Sequence, residues 1–307
     1  NIADALRQLG WRTLVMPWKL TLAQRYRILA LARPDVLVMQ GARHALNRPA
    51  LYPGYPIVYD MDDADFHLPQ LADPVERAMR DVACVVAGSR YIAEWCRSTG
   101  TDAEIIWTST PVSGRAAPPQ NARPPVVAWA QTAPQANTEE AAWVLEVMRR
   151  VAALHPAARL RLYDRQSDDA EAFLRRFEAA GIRTEWRRPA AYQDYLKSFD
   201  DVAVGLAPLS EGNPFSRGKA FGKVLAYLDR RVPVVASDVG EFPVFFDHAA
   251  GVISDDPDVW VTAIVKLLAD AEARQGMVDA AFCQFRECFS VEQAALKTDR
   301  VLRRHLA

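Results

Sequence analysis

The sequence is short of cysteine and of long apolar segments. Its four cysteines, Cys84, Cys96, Cys283 and Cys288, form no CxxC pair and have no histidine at zinc-ligand spacing, so the spacing predicts neither a zinc site nor a disulfide framework. No apolar run approaches the roughly 20 residues of a membrane span, and the first residues show no signal-peptide pattern. We therefore expect a protein of the reducing cytoplasm.

The chain also has almost no net charge. The 37 Lys and Arg residues nearly balance the 38 Asp and Glu residues, which gives no case for nucleic acid as a partner. Residues 1–58 differ from the rest, because they carry eight basic side chains and only two acidic ones, Asp4 and Asp35. These basic residues either lie on solvated helix faces or meet anionic lipid headgroups or an acidic acceptor, which would make membrane contact peripheral.

The sequence does have length and a regular alternation of patterns. Its 307 residues exceed one ordinary core, which stops growing near about 250–300 residues, and 50% of them are hydrophobic. Short β-rich runs alternate with helical patterns along the chain, which is typical of parallel sheets covered by helices. We predict an α/β protein with two Rossmann-like, doubly wound domains.

The predicted elements divide at 111–125, a segment rich in proline and small polar residues. We assign residues 1–115 to an N-terminal domain, 116–125 to a linker and 126–289 to a C-terminal domain. Residues 290–307 form a last helix, with Ser290 as its N-cap and Gln293 as the capping partner. Packing of this helix back on the N-terminal domain is one arrangement that we consider.

The periodicity predicts the individual elements. Strands are predicted at 12–16, 35–39, 56–59, 83–87, 104–107, 126–130, 159–163, 183–187, 202–206, 232–237 and 251–253. Helices are predicted at 20–32, 74–81, 90–98, 138–154, 168–180, 191–198, 221–230 and 257–285. The chain opens in a helix closed by Gly10, whereas a doubly wound domain ordinarily opens with a strand and a Gly-rich turn. We therefore expect the first strand of the N-terminal domain to be missing from this sequence.

A loop with Gly, Ser and two basic side chains precedes the predicted helix 221–230, and a third basic side chain follows at Lys223. Unpaired N–H groups at a helix start favour a phosphate, and Arg217, Lys219 and Lys223 add full positive charges. Lys219 and Lys223 share a helical face if the helix begins near Lys219, and an anion between them would remove their repulsion. The loop predicts either a phosphate site or an ordinary solvated helix start.

This segment resembles the donor-binding segment of family-4 retaining glycosyltransferases with the GT-B fold. The matching residues are Pro214, Phe215, Ser216, Arg217, Gly218, Lys219, Lys223 and Tyr227, followed by 232–237. The resemblance implies two domains facing each other across a cleft, a nucleotide-diphosphate sugar held mainly by the second domain, and an acceptor held by the first. It implies that Ser216, Arg217, Gly218, Lys219 and Lys223 bind the donor diphosphate, and that no metal or other cofactor is needed.

Two positions depart from the family pattern. The family usually has a glutamate three residues after the second lysine, and many members have another eight residues earlier, whereas this chain has Ala226 and Gly218. Neither residue offers a side-chain acceptor for the donor's hydroxyl groups. Glu211 or another side chain takes that role, or the chain is a catalytically inactive scaffold or partner subunit. An epimerase or phosphorylase with the same fold is a third reading.

Aspartates cluster after the predicted strand 56–59, at the end where ligands bind to open α/β sheets. The cluster comprises Asp60, Asp62, Asp63, Asp65 and the neighbouring His67. Repulsion between carboxylates raises some of their pKa values, which suits proton transfer or stabilisation of positive charge at a sugar carbon. By resemblance to acceptor-facing strand ends, Asp62 and Asp63 are the catalytic candidates, with Asp65 on the acceptor side and His67 behind them. The alternatives are helix caps or arginine pairs, and a divalent-metal site of the GT-A type.

Five further residues are weaker candidates for the site. Arg43 and His44 follow the strand 35–39 and either bind an anionic group of the acceptor or are ordinary loop residues. Gln131 and Thr132 follow the first strand of the C-terminal domain and are placed to face the diphosphate, whereas Arg188 is placed to approach the nucleobase.

The resemblance thus implies a metal-independent, retaining glycosyltransferase of the hexosyltransferase type. It would use a UDP- or GDP-sugar donor and a glycan, lipid-linked or protein acceptor. We expect it in the cytoplasm, where the basic N-terminal region would also allow contact with the inner face of the membrane.

Overall fold

The contacts within the chain fall into two units. The computed structural model describes residues 1–164, 168–246 and 250–306. The N-terminal unit comprises Asn1–Pro111, Gly212–Ala220 and Cys288–Ala307, and the C-terminal unit comprises Val112–Glu211 and Phe221–Glu287. The N-terminal unit therefore contains two segments from late in the sequence, a division that the continuous boundaries predicted above do not have.

The N-terminal unit is built on a parallel sheet with strand order β1-β2-β3-β4. Its elements up to the linker are α1 (Ile2–Gln8), α2 (Leu22–Ala32), β1 (Leu37–Gln40), β2 (Ile57–Met61), α3 (Pro69–Ala78), β3 (Cys84–Ala87), α4 (Arg90–Ser98) and β4 (Ala103–Ile105). All four residues of β3 and all but one of β2 are buried, as expected for strands covered on both faces.

The C-terminal unit has a parallel sheet with strand order β10-β9-β8-β5-β6-β7. Its elements are β5 (Val126–Trp129), α5 (Thr138–Leu154), β6 (Arg159–Tyr163), α6 (Asp168–Ala179), β7 (Arg183–Arg187), α7 (Tyr192–Lys197), β8 (Val204–Ala207), α9 (Leu225–Asp229), β9 (Val234–Ala236), α10 (Phe242–Phe245), β10 (Val252–Ile253), α11 (Pro257–Ala269) and α12 (Ala271–Phe289). Between β8 and α9 lies the short helix α8 (Pro214–Arg217), which belongs to the N-terminal unit. The chain proceeds from β5 to β6 and β7 on one side and then returns to β8 on the other. The carboxyl ends of β5 and β8 therefore form a topological switch point, where ligands bind in open sheets.

The last helix, α13 (Val291–Arg304), belongs to the N-terminal unit. Ser290 accepts a hydrogen bond from the Gln293 N–H at 3.3 Å and so caps the helix. Val301 and Leu302 pack in one apolar cluster with Leu6 of α1 and with Val58 and Cys84 of the sheet. Helices α1 and α13 thus cover one face of the sheet. Among the described residues, no helix is long and apolar enough to cross a membrane.

The two-sheet α/β class is confirmed, and three predicted elements are wrong. Residues 12–16 form no strand, and the side chains of Leu14 and Val15 remain 61% and 62% exposed, because no neighbouring strand takes up their alternation. The predicted helix 257–285 is two helices, since Asp270 separates α11 from α12 and caps the second through the Ala273 N–H at 2.9 Å. The predicted helix 221–230 is helical only over Leu225–Asp229, after turns at 222–224.

Candidate functional site

The aspartate cluster lies at the carboxyl end of β2, as predicted. Asp60 pairs with Gln40 of β1 and Val86 of β3, and the chain then leaves the sheet. A short 3-10 turn, Asp65–His67, follows before α3. The carboxyl ends of β1, β2 and β3 meet at this edge, and the residues that follow each strand are therefore brought together.

Arg43 neutralises two of the four aspartates. Its Nε and Nη2 atoms donate to Asp65 at 2.6–3.2 Å, and Nη2 also donates to Asp63 at 2.7 Å. The hydrogen bond to Asp65 is the largest cause of a raised pKa for Arg43. Asp65 is only 5% exposed, so this forked pair holds a buried carboxylate in place. Asp63 and Asp65 are therefore paired with an arginine, which was one of the alternatives for these aspartates. A divalent ion at these carboxylates would have to displace Arg43.

Asp62 differs from its neighbours because Arg43 does not hydrogen-bond to it. The Thr108 hydroxyl, just beyond β4, donates a short hydrogen bond to Asp62 Oδ1. Although the residue is exposed, neighbouring protein excludes water from the carboxyl, and this desolvation raises its pKa against the opposing effect of Thr108. A Cβ atom on Gly88 would lie 3.0 Å from Asp62 Oδ1, so the close approach requires glycine there. Asp62 is thus an accessible, oriented carboxylate with raised proton affinity.

Asp60 is a titratable group that sequence reasoning counted in the cluster but did not select. Burial raises the pKa of its carboxyl to about 7, and the nearby charge of Asp62 contributes in the same direction. Its carboxyl therefore keeps a proton to higher pH than an ordinary aspartate does, and the protonated form places no negative charge beside Asp62. The sequence did contain a signal for this burial, because Asp60 has apolar neighbours on both sides within the strand. Thr108 was also missed, because no local pattern links it to Asp62, 46 residues away.

The predicted phosphate loop packs directly against the aspartate segment. Residues Gly212–Ala220 belong to the N-terminal unit, and Phe215 packs on the same apolar cluster as Ala64 and Phe66. Gly218 lies so close to Ala64 that a Cβ atom at position 218 would be 2.5 Å from the Ala64 Cβ. Ala64 is fully buried and has no room to move away. A glutamate, the residue that many family members have here, would not fit at this position.

This contact predicts that Gly218→Ala destabilises the protein. The φ of Gly218 is −82°, so alanine causes no backbone strain and the cost comes only from the clash with Ala64. We expect a loss of about 1–3 kcal/mol in the free energy of unfolding, measured by urea denaturation. The matched control is Gly222→Ala, where an added Cβ meets nothing within 4 Å.

A second substitution separates this clash from a general effect. In an Ala64→Gly background the opposing methyl is absent, and Gly218→Ala should then cost much less than in the native chain. Equal costs in the two backgrounds would show that the close approach of Gly218 to Ala64 is not the reason for glycine here.

The backbone of this loop is less available to a phosphate than the sequence suggested. The N–H groups of Phe215, Ser216, Gly218 and Lys219 all donate within the loop, to Asn213, Phe215 and Ser216. Helix α8 has only four residues, and Ser216 is fully buried. Any anion contact here would therefore depend on the side chains of Arg217 and Lys219.

Arg217 and Lys219 present positive charge beside the aspartates. Desolvation and then the charge of Arg217 lower the pKa of His67, which places Arg217 within electrostatic range of the aspartate segment. The Lys219 ammonium lies 5.6 Å from the centre of the Phe215 ring. His67 Nε2 is 2.7 Å from the Tyr91 hydroxyl, and Phe66 stacks on Trp95 at 4.0 Å, so aromatic side chains support this turn. Basic and acidic groups about 150 residues apart in sequence thus converge in one unit.

Lys223 lies in the C-terminal unit, at the switch point between β5 and β8. Its Nζ donates to the Thr132 hydroxyl at 3.3 Å, which brings together two residues that were predicted separately to face the diphosphate. The buried Tyr227 hydroxyl accepts from Ala130 N–H at 2.8 Å and donates to the Ala128 carbonyl at 2.9 Å, which holds the end of β5. The condition under which Lys219 and Lys223 would share a helical face is not met, because α9 begins only at Leu225.

The remaining predicted residues take different positions. His44 Nδ1 accepts from Leu46 N–H at 3.1 Å, as in an ordinary loop, and Gln131 donates to the Thr132 carbonyl at 3.3 Å. Arg188 follows β7, two strands or about 10 Å from β5, and lines a cavity of about 470 Å³ with Tyr163 and Tyr195. Ala226 is only 4% exposed, so a glutamate at that position would be buried. The binding roles predicted for these residues stay predictions.

Comparison with solved structures identifies the architecture. No family model and no curated protein matches the sequence. Anabaena HepE in complex with UDP-glucose matches 98% of this chain and 88% of its own, with a TM-score of 0.71 and 15% identity. Sucrose-phosphate synthase from Thermosynechococcus elongatus matches 92% of this chain and 76% of its own, with a TM-score of 0.70 and 13% identity.

A third similar structure is S. aureus TarM, in a complex with fondaparinux, α-GlcNAc-glycerol and UDP. It matches 91% of this chain with a TM-score of 0.67 and 12% identity, and this chain spans only 58% of the TarM chain. Identities this low establish the fold and leave the activity to be argued from the site. The fold of this chain, with two Rossmann-like units on parallel sheets, is that of the GT-B glycosyltransferases.

Proposed function

We propose that this protein is a glycosyltransferase that moves a sugar from a nucleotide diphosphate to an acceptor hydroxyl. The observation that supports the proposal is the packing of Gly218 on Ala64, because it joins the loop that carries Arg217 and Lys219 to the segment that carries Asp62. Cationic groups suit a diphosphate leaving group, and an accessible carboxylate suits the acceptor hydroxyl. Lys223 and Thr132 supply a second polar pair at the switch point of the C-terminal sheet.

The proposed reaction assigns a role to each charge. Asp62 takes the proton of the acceptor hydroxyl while the acceptor oxygen bonds to the anomeric carbon of the donor. The bond between that carbon and the diphosphate oxygen breaks, and the electron pair leaves with the diphosphate. Arg217 and Lys219 stabilise the charge that develops there, so the reaction proceeds without a metal ion. Retention of configuration is proposed from the family resemblance alone, and it requires the acceptor oxygen to approach the same face of the anomeric carbon that the diphosphate leaves.

The solved structures support a choice of donors for the first experiment. HepE is solved with UDP-glucose and TarM with UDP, which makes UDP-sugars the first donors to examine. The experiment is a screen of UDP- and GDP-sugars, first for thermal stabilisation of the protein and then for transfer to glycan, lipid-linked and protein acceptors. Stabilisation together with turnover supports the proposal, and the lack of any stabilisation by nucleotides would overturn it.

A non-catalytic scaffold or partner subunit is the second candidate. It is favoured by the two family positions that lack a carboxylate, because Gly218 is packed on Ala64 and Ala226 is buried. Stabilisation by a nucleotide sugar without hydrolysis or transfer would support this candidate. Product analysis without an acceptor would identify an epimerase or phosphorylase.

We also propose that residues 11–20 contact the surface of an anionic membrane. This segment has no regular secondary structure, and it exposes Leu14, Val15 and Trp18, the last at 69%. The Lys19 ammonium lies 5.5 Å from the centre of the Trp18 ring, and Arg12 is also exposed. Apolar side chains next to basic ones suit the headgroup region, where tryptophan is enriched.

The membrane proposal predicts that Leu14→Ala reduces binding to phosphatidylglycerol vesicles about five- to tenfold in a sedimentation assay. The change removes apolar surface that would be buried in the lipid. Leu154→Ala is the matched control, because Leu154 is 66% exposed but lies on α5 of the C-terminal unit. Equal binding by the two variants would contradict the proposal.

A further inference from the structure

Three different metal-binding side chains meet at the edge of the N-terminal sheet opposite to the aspartates. Cys84 begins β3, Asp102 immediately precedes β4, and His305 is the C-cap residue of α13. One ligand atom from each, a thiol sulfur, a carboxylate oxygen and an imidazole nitrogen, lies within 4.8 Å of the other two. In the described part of the chain, no other three His, Cys, Asp or Glu side chains come together in this way.

The fold explains why these residues meet although they are distant in sequence. Val85 N–H donates to the Asp102 carbonyl at 2.8 Å, so the parallel pairing of β3 with β4 sets Cys84 beside Asp102. Packing of Leu302 in one apolar cluster with Cys84 brings the end of α13, and with it His305, to the same edge. The spacing of cysteine and histidine along the chain does not show this arrangement, which is why the sequence predicted no zinc site.

We propose that Cys84, Asp102 and His305 bind one zinc-class divalent cation. Sulfur, nitrogen and oxygen ligands together suit Zn²⁺, whereas Mg²⁺ and Ca²⁺ prefer oxygen alone. Tetrahedral zinc would place these atoms about 3.5 Å apart, so the three side chains need to approach by about 1 Å. A water molecule would complete the four ligands.

The burial of Cys84 favours a role as a metal ligand over a role as a reactive nucleophile. The residue is fully buried, so no substrate reaches its sulfur, and no hydrogen bond in the described structure joins it to His305. Asp102 is exposed and His305 is partly exposed, and these two residues leave a path for a small ion. Beside them, Arg304 pairs with Glu104 at 2.7 Å and holds the same helix end against β4. A bound ion would fasten the end of α13 to the sheet.

The test is titration of the whole protein with Co²⁺ and Zn²⁺ after removal of metal. We expect one Co²⁺ per chain with the charge-transfer absorption of a cobalt–thiolate bond, and displacement of that ion by Zn²⁺. His305→Gln and Asp102→Asn should each weaken binding about tenfold or more. Cys283→Ser is the matched control, because Cys283 is an exposed thiol of the C-terminal unit and should not contribute.

Each outcome decides the proposal. Lack of a thiolate band in the native chain, or undiminished affinity in His305→Gln, overturns it. Loss of the band in Cys283→Ser would assign the metal to the exposed thiol and overturn it as well. Cys84→Ser should abolish the band, and if burial of serine prevents folding, the two exposed-ligand variants still give the answer.

Discussion

Replacing Lys223 with alanine should remove most of the stabilisation that a nucleotide sugar gives to the protein. Lys223 is exposed at the switch point of the C-terminal sheet, with its ammonium 3.3 Å from the Thr132 hydroxyl. A charge-assisted hydrogen bond to a diphosphate contributes about 1.5–3 kcal/mol, so its loss should weaken binding about 10- to 100-fold. A thermal-shift titration with the best donor of the screen measures this change.

The control for Lys223 is Lys266→Ala. Lys266 is an exposed lysine of the same unit, but it lies in the last turn of α11, which begins beside the carboxyl edge of the sheet and ends away from it. Its removal should leave the titration unchanged. Lys223→Arg should retain part of the binding, since the charge remains. Native-like affinity in Lys223→Ala would show that the diphosphate binds elsewhere.

Replacing Asp62 with asparagine should lower the rate of transfer by about 10²- to 10⁴-fold, the usual contribution of a general base. Asparagine keeps the size of the side chain and an oxygen that accepts from Thr108, so the local structure should survive. Donor-induced thermal stabilisation should also survive. The expected result is therefore a loss in kcat with donor binding retained, measured by product formation at saturating donor.

The pH profile gives an independent test of this role. Burial raises the pKa of Asp62, and only the ionised carboxylate can accept a proton. Activity should therefore rise with pH, and the midpoint of this rise should lie at a higher pH than the usual pKa of an aspartate. The rise should be absent in Asp62→Asn. Asp63→Asn is the comparison, because Asp63 is paired with Arg43 and should affect the rate less. A larger loss in Asp63→Asn would reverse the assignment.

The sequence predicted elements well where one periodic pattern ran without interruption. The bounds of β6, β7, α4 and α5 agree with the predicted ranges. Residues 12–16 show the limit of this reasoning. Their apolar alternation is that of a strand, but a strand forms only where a neighbour completes its hydrogen bonds.

The candidate site was predicted as separate motifs but not as a geometry. The carboxyl end of β2 was predicted correctly to carry the aspartates. The pairing of Arg43 with Asp63 and Asp65, and the approach of Gly218 to Ala64, depend on contacts between segments 20 and about 150 residues apart. No local pattern encodes such contacts, so the sequence alone did not separate Asp62 from Asp63.

The return of residues 212–220 to the N-terminal unit limits how the protein can be dissected. A fragment cut at the linker and containing residues 112–287 would carry this segment without Ala64 and the apolar cluster on which Phe215 packs. The complementary fragment 1–111 would lack both that segment and α13. Neither fragment would contain a complete unit, so we expect that a chimaera made by exchanging one half would also have to match the segment 212–220.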